Sequence, residues 1–110
     1  MYLPDRERAV IAPDKLVHYL LNTAHKRGGA KARVLTHFGY HANNPHQLDM
    51  DIRRFHLDQE VVATRQTPYG MRYEIRAPLQ TPDGRLLMLR TVWQIDDRTY
   101  FPRLITLFPD

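Results

Sequence analysis

The spacing of apolar residues along this chain changes once, near Val61. Before that point apolar side chains recur every three to four residues, which is the period of an amphipathic helix; after it they alternate with polar ones, as in a strand. This order predicts an α+β fold with two to three N-terminal helices packed on one face of a four-stranded antiparallel sheet. At 110 residues the chain has the size of one domain, so we expect residues 1–110 to form a single domain.

Three helices are predicted in the first half of the chain. The first begins at Pro13, a favoured first residue of a helix, and ends before Gly28-Gly29, which we expect to take the left-handed conformation of a helix end. Gly39 ends the second helix in the same way, and Asn44-Pro45 begins the third. The expected bounds of the first two helices are about 13–24, with Val17, Leu20, Leu21 and Ala24 buried, and about 30–38.

Four strands follow, separated by turns rich in Pro and Gly. Thr67-Pro-Tyr-Gly70 and Thr81-Pro-Asp-Gly84 are both strong turn signals. The expected strands are 61–67, 71–79, 85–95 and about 100–108. An apolar patch at 9–12 is too short to assign, and it is either an edge strand or a lead-in segment.

Charge and composition narrow the function further. The formal net charge is +4, and residues 1–40 carry seven Lys/Arg against three Asp/Glu. A basic balance favours polyanionic partners such as RNA. The absence of cysteine excludes disulfides and thiolate zinc sites. No long apolar run and no signal-peptide pattern occur, so we expect a cytoplasmic protein without membrane contact.

The stretch Lys15–Phe38 concentrates groups able to move protons or hold anions. His25 suits proton transfer because histidine titrates near neutral pH. Lys31 lies three and four residues before Val34 and Leu35, on the same helix face. Its ammonium therefore either snorkels to solvent or points into a cleft, where it would hold a phosphate.

Two polar residues stand out in the predicted sheet. Arg90 shares a face with Met88 and Val92, and it is half of a structural ion pair, at a strand end that reaches solvent, or a ligand-binding cation. Thr106, expected on the same face as Leu104 and Phe108, is either an ordinary strand residue or part of a site. The spacing of the histidines at 37, 41 and 46 fits no common metal site, so neither a metal nor a cofactor is expected.

A set of motifs then resembles a small bacterial family of uncharacterised domains, found alone or as C-terminal modules of polymorphic toxins and phage head-associated proteins. The residues that carry the resemblance are Lys15-Leu-x-x-Tyr19-Leu-Leu-Asn22-x-x-His25-x-x-Gly28-x-x-Lys31-Ala, Thr67-Pro-Tyr-Gly-x-x-Tyr73, Gly84-Arg, Arg90-Thr-Val-Trp93 and Arg103-Leu-Ile-Thr106-x-Phe-Pro109. At the level of the fold, helices followed by a sheet ending in Thr-x-aromatic-Pro also resemble the metal-independent RNases barnase, EndoU and RelE.

The leading hypothesis is a metal-independent endoribonuclease-like toxin domain. Such a reaction needs a base for the 2′-hydroxyl, an acid for the 5′-oxygen and cations for the phosphorane-like transition state. The candidate catalytic residues are His25 as base or acid, Lys31 and Arg90 on the phosphate, and Thr106 in support. His18, Tyr69 and Arg103 are assigned to substrate binding, with Tyr69 stacking on a base.

Other functions stay open. The main alternative is a non-catalytic protein-binding or RNA-binding module, and a third is an immunity or antitoxin protein, which the basic charge does not favour. A toxin would have a cognate antitoxin or immunity protein as its partner. The enzyme hypothesis makes a geometric prediction, because His25, Lys31, Arg90 and Thr106 must surround one cleft.

Overall fold

The helical elements all precede a four-stranded antiparallel sheet with strand order β1-β2-β3-β4. This arrangement, seen in a computed structural model that describes residues 1–110, confirms the predicted α+β class. The helical elements are a 3-10 turn (Arg6–Arg8), α1 (Pro13–Lys15), a π-helix (Leu16–Leu20), α2 (Gly29–His37) and α3 (Pro45–His56). The strands are β1 (Ala63–Thr67), β2 (Gly70–Gln80), β3 (Leu86–Asp96) and β4 (Arg103–Pro109).

The core lies between the helices and one face of the sheet. Alternate residues of β2, from Tyr73 to Leu79, point into it, and Trp93 of β3 is fully buried opposite Tyr73. Leu20, Leu35 and Ile52 supply the helical side of the same cluster. The other sheet face is more polar and carries Glu74 of β2 and Arg90 of β3. The longest helix, α3, has 12 residues, so no helix has the length and apolar character needed to cross a membrane.

Turn chemistry set most of the predicted element ends. Gly39, Gly70 and Gly84 all have positive φ (102°, 147° and 90°), where a side chain would be strained. α3 begins at Pro45 as expected, although Asn44 makes no side-chain cap bond. The predicted start of β4 near residue 100 is wrong by three residues, because residues 97–102 form a loop.

The first helix is shorter than its apolar spacing predicts. After one α-helical turn the chain widens into a π-helix, in which Leu21 N–H donates to the Leu16 carbonyl five residues back at 2.9 Å. The helix ends at Leu20, so Ala24 is exposed and the predicted extent to residue 24 is wrong. π-Helical segments are rare and often occur at functional sites, because the extra residue in the turn changes the direction of the side chains around it.

The prediction that Gly28-Gly29 forms a left-handed helix end is also wrong. Gly28 has φ −104° and is the N-cap of α2. A Cβ at Gly28 would lie 2.5 and 2.7 Å from the Tyr19 ring, and one at Gly29 would lie 2.7 Å from the Thr23 carbonyl oxygen. Both glycines are therefore needed for close approach, and Gly28 lets the Tyr19 ring pack against the start of α2.

A β-bulge in β4 changes the predicted facing of Thr106. Val92 pairs with Thr106 and Trp93 pairs with Leu104, so Ile105 has no partner on β3. The extra residue puts Leu104 on the core face and Thr106 on the outer face, and the expected sharing of a face by these two residues is wrong. Phe108, which pairs with Arg90, does share the outer face with Thr106.

The apolar patch at 9–12 lies at the open edge of β4. Val10 bridges Arg103 in parallel, its N–H donates to the Pro102 carbonyl at 2.8 Å, and its carbonyl accepts from Leu104 N–H at 2.9 Å. The patch is thus a short edge segment, and it brings the chain directly into α1 beside the bulge.

Candidate functional site

Lys31, Tyr19 and Thr106 meet in a triangle of hydrogen bonds, here called the Lys31 triad. The Lys31 ammonium donates to the Tyr19 hydroxyl at 3.1 Å and to Thr106 Oγ1 at 3.0 Å. The two hydroxyl oxygens are 3.1 Å apart, close enough for either to donate to the other. All three side chains are half-buried. An ammonium has three donors, so one N–H of Lys31 is left for a ligand.

Each member of the Lys31 triad comes from a different element. Tyr19 is on the π-helix, Lys31 is in the first turn of α2, and Thr106 follows the bulge on β4. The missing side chain of Gly28 makes room for the Tyr19 ring, and the bulge turns Thr106 out of the core. The triad therefore depends on three local irregularities that a regular helix and strand would not provide.

Lys15 lies beside the Lys31 triad at the edge of the sheet, and we call the triad and its surroundings the Lys31 corner. Its ammonium donates to the Ile105 carbonyl, the bulged residue, at 2.8 Å and lies 5.8 Å from the centre of the Tyr19 ring. Burial, together with the nearby charge of Arg103, lowers the pKa of Lys15 below its ordinary value. The side chain thus binds the carbonyl of the residue that has no partner on β3.

His25 stands at the edge of the Tyr19 ring. The two ring centres are 5.0 Å apart in a T-shaped arrangement. His25 Nδ1 accepts the backbone N–H groups of Arg27 and Gly28, each at 3.0 Å. These bonds assign the ring proton to Nε2, so the nitrogen left for a ligand is a donor. In this geometry His25 suits donation to an anion better than removal of a proton.

The positive charge at this corner is not neutralised within the chain. Residues 15–38 contain five Lys/Arg and no Asp or Glu. None of these cations takes part in a salt bridge. Although burial alone raises the pKa of Tyr19, its bonds with Thr106 and Lys31 and the charges of Lys31 and Lys15 together hold it below the ordinary value. The uncompensated positive charge of this corner is therefore suited to binding an anion.

Arg90 and Arg103, two other predicted site residues, are already paired with acids. Arg90 donates to Asp110 at 3.0 Å and to Glu74 at 3.2 Å, which is the ion pair considered from the sequence. Arg103 makes a two-pronged contact with Asp96 at 2.6 and 3.2 Å. Arg90 lies on the outer face that Thr106 shares, so it is near the Lys31 triad in the sheet, but its charge is compensated.

His18 and Tyr69 do not join the triad. His18 is exposed on the π-helix, where its carbonyl accepts from Asn22 Nδ2. Tyr69 is 72% exposed in the β1–β2 turn. The structure therefore brings Lys31 and Thr106 into contact, sets His25 beside them through Tyr19, and leaves the other predicted residues at a distance or in ion pairs.

Sequence reasoning missed Tyr19 and Lys15 as site residues. Both occur in the motif that carried the family resemblance, and their spacing of four on one helix was visible. Tyr19 reads as a residue that packs beside an apolar stripe, because nothing local shows that a strand 87 residues later brings a hydroxyl to it.

The largest surface cavity, about 390 Å³, lies away from this corner, between α3 and the end of β2. Its buried acid, Asp51, already accepts from the Tyr40 hydroxyl at 2.7 Å and from Gln47 at 3.1 Å. The cavity therefore has a satisfied structural acid on its wall. No three His, Asp or Glu side chains gather anywhere in a way that could hold a metal ion.

Comparisons with known proteins place the chain in a family and give its fold a relative. Residues 2–110 match the family described as "Domain of unknown function (DUF6883)", so the chain belongs to that family. This confirms the expected membership in a family of uncharacterised domains. No curated protein sequence matches the chain.

A solved structure shares the fold over nearly the whole chain. It is a chain of a contact-dependent growth inhibition toxin–immunity protein complex from Klebsiella pneumoniae 342. The TM-score is 0.65 at 14% sequence identity, covering 92% of this chain and 99% of that chain. At that identity the likeness establishes the common fold and nothing finer.

Proposed function

We propose that this chain is an endoribonuclease-like toxin domain that cleaves RNA without a metal cofactor. The observation that carries the proposal is the Lys31 triad, a half-buried ammonium between two hydroxyls in a basic corner with no internal acid. RNA cleavage at phosphorus places its developing charge on phosphate oxygens, and a cation with a free donor is suited to that charge.

The triad supplies groups for both parts of the reaction. The 2′-oxygen attacks the neighbouring phosphorus, the bond to the 5′-oxygen breaks, and one proton leaves the 2′-hydroxyl while one reaches the 5′-oxygen. Lys31 binds a non-bridging oxygen, and Thr106 orients the same phosphate. The Tyr19 phenol, whose pKa is held below the ordinary value, gives its proton to the 5′-oxygen and regains one from solvent water, which takes up the proton of the 2′-hydroxyl. His25 Nε2–H donates a hydrogen bond to a phosphate oxygen.

The other predicted residues take secondary parts in this proposal. Arg90 reaches a phosphate only if it exchanges Asp110 or Glu74 for it, so we assign it a weaker contribution than Lys31. Arg103, His18 and Tyr69 contact RNA further from the reacting phosphate. These roles stay predictions.

The shared fold with a chain of a toxin–immunity protein complex supports a role in such a pair, and the basic charge favours the toxin over the immunity protein. A toxin of this kind needs a cognate immunity protein that covers its site. Because the Lys31 corner is basic, that partner would present acidic side chains to it.

The test is RNA cleavage by the purified chain in buffer containing a chelator. We expect the wild type to degrade RNA and Lys31→Ala to lose roughly a hundredfold in rate, the scale of losing one group that stabilises transition-state charge. Arg65→Ala is the matched control, because Arg65 is an exposed cation on β1, at the opposite sheet edge, without a salt bridge. Intact RNA with the wild type, or equal loss in both variants, would overturn the proposal.

A non-catalytic RNA-binding module is the second candidate, and one observation favours it. His25 Nδ1 is occupied by two backbone N–H groups, which removes the predicted base from proton transfer. This candidate predicts RNA bound with Lys31-dependent affinity and no cleavage at any pH.

A further inference from the structure

Exposed aromatic rings are concentrated at one end of the sheet. Four Tyr and Phe side chains are exposed in this chain, and three of them, Tyr69, Tyr100 and Phe101, belong to the β1–β2 turn and the β3–β4 loop. These two connections are adjacent, because Gly70 pairs with Asp96 and Asp97 N–H donates to the Tyr69 carbonyl at 2.8 Å. We call the three residues the aromatic end.

The rings of the aromatic end have no internal partner. The fourth exposed ring, Tyr2, is covered by the Arg6 guanidinium 4.3 Å from its centre. Tyr69, Tyr100 and Phe101 contact no other ring and no cation. Single exposed apolar residues are common, whereas three exposed rings on two adjacent connections form a candidate contact surface.

The loop that presents Tyr100 and Phe101 is held at both ends. Arg103 grips the Asp96 carboxylate across the base of the loop, and Thr99 donates its backbone N–H and its hydroxyl to the Asp96 carbonyl. Pro102 is fixed by Val10 at the edge of β4. The two rings are thus presented from a loop with a closed base, which lowers the cost of ordering them around a ligand.

β4 connects the aromatic end to the Lys31 triad. Pro102 closes the loop and Thr106 is four residues further along the strand, a distance of roughly 13 Å at about 3.3 Å per residue. Between them lie Arg103 and the bulge carbonyl capped by Lys15. A chain of phosphates that begins at Lys31 and follows this edge reaches the rings within a short oligonucleotide.

We propose that the aromatic end is a stacking platform for the bases of single-stranded RNA whose phosphate is bound at the Lys31 triad. This inference rests on the proposed function and specifies its substrate as unpaired RNA. Bases in a duplex are already stacked on each other, whereas those of a single strand are free to stack on aromatic side chains. The platform reads base faces and is tolerant of sequence.

The experiment measures binding of a fluorescein-labelled 2′-O-methyl oligoribonucleotide by fluorescence anisotropy. This probe keeps the phosphates and bases, but it lacks the 2′-hydroxyl proton and therefore resists cleavage. Removing a stacking ring weakens single-strand binding strongly, so we expect the Tyr100→Ala, Phe101→Ala double variant to lose about tenfold or more in affinity and Tyr69→Ala to lose less. Tyr2→Ala, the exposed ring covered by Arg6, should bind as the wild type does.

The outcomes separate this inference from the proposed function. A wild type that binds the single strand more tightly than its annealed duplex, with the loss confined to the aromatic end, supports the platform. Unchanged affinity in the aromatic variants, while RNA cleavage persists, overturns the platform alone and leaves this surface to a protein partner. If the wild type neither cleaves RNA nor binds the probe, the proposed function fails and the platform fails with it.

Discussion

Two hydrogen-bonded networks of three side chains join the helices to the sheet, and they differ in nearly every physical respect. In the first, the His56 network, His56, Thr91 and Trp93 are completely buried. His56 Nε2–H donates to the Ala77 carbonyl at 3.0 Å, the Thr91 hydroxyl donates to His56 Nδ1 at 2.8 Å, and Trp93 Nε1–H donates to Thr91 Oγ1 at 2.9 Å. The second, the Lys31 triad, is half-buried, charged and has a donor to spare.

The contrast indicates how a structural network can be told from a binding site. In the His56 network every nitrogen donor and acceptor is used once, and no charge is present. No buried side-chain nitrogen or oxygen in the molecule lacks a partner. The Lys31 triad leaves an N–H free and a positive charge uncompensated where solvent, and hence a ligand, can reach it. Unused polar capacity at an accessible position is what a binding site requires.

The largest effect is expected from a substitution that breaks the His56 network. His56→Ala leaves the Ala77 carbonyl and the Thr91 hydroxyl unpaired and opens a cavity, so we expect the free energy of unfolding to fall by about 3–5 kcal/mol. Urea unfolding measures it, with the exposed His37→Ala as control, expected within about 0.5 kcal/mol of the wild type. RNA cleavage per folded molecule should not change, and a selective loss of cleavage would erase the contrast between the two networks.

The next effect is an acid dependence of stability. Burial lowers the pKa of His56 from 6.5 to about 4, so the unfolded chain takes up a proton first as the pH falls. The contribution of the neutral, buried His56 to the free energy of unfolding is complete above pH 6.5. It is lost as the pH falls from 6.5 to about 4, and it amounts to about 3 kcal/mol. Urea titrations across this range should show that slope, and His56→Gln should flatten it. A slope that persists in the variant assigns it to another group.

A smaller effect is expected when the geometry of the Lys31 triad is disturbed while its three side chains are kept. In Gly28→Ala the new Cβ would lie 2.5 Å from the Tyr19 ring, which must move away from Lys31 and Thr106. We expect a loss of about 1–3 kcal/mol in unfolding free energy, the usual cost of overpacking, and slower RNA cleavage. A double-mutant cycle with Tyr19→Ala tests the cause, because Gly28→Ala should cost little once the ring is absent. Additive effects would show that the two residues are not coupled.

The smallest effect is expected from a substitution that removes one hydroxyl group from the Lys31 triad. Tyr19→Phe keeps the packed ring and deletes the hydroxyl to which we assign proton transfer, so we expect about a tenfold slower RNA cleavage, equal to about 1.4 kcal/mol, with little change in stability. The pH profile is the decisive readout, because the alkaline limb that reports the lowered pKa of Tyr19 should disappear. An identical profile in the variant would assign proton transfer to another group.

Arg90, on the outer face of the sheet, shows the same difference between a compensated and an uncompensated charge. In the sequence, Arg90 and Lys31 are both candidates for binding phosphate, since each is a cation among apolar residues. In the folded chain Arg90 meets Glu74 from the neighbouring strand and Asp110, while Lys31 meets only hydroxyls. A cation is therefore a stronger site candidate when the fold brings no acid to it.

Local chemistry determined much of this protein from the sequence alone. The change of apolar period near Val61, the proline at the start of α3 and the turn glycines Gly39, Gly70 and Gly84 are all properties of neighbouring residues, and they predicted the α+β order and most element ends. The basic, acid-free stretch around His25 and Lys31 is likewise plain in the composition.

Only the tertiary structure decided where the candidate site lies. The π-turn that aims Tyr19, the close approach that requires Gly28 and the bulge at Ile105 each depend on packing against an element far along the chain. Lys31 and Thr106 are 75 residues apart in sequence, and their contact follows from strand register and helix placement. Periodicity reports which face of an element is apolar, but the polar partner that it meets is fixed only when the elements pack together.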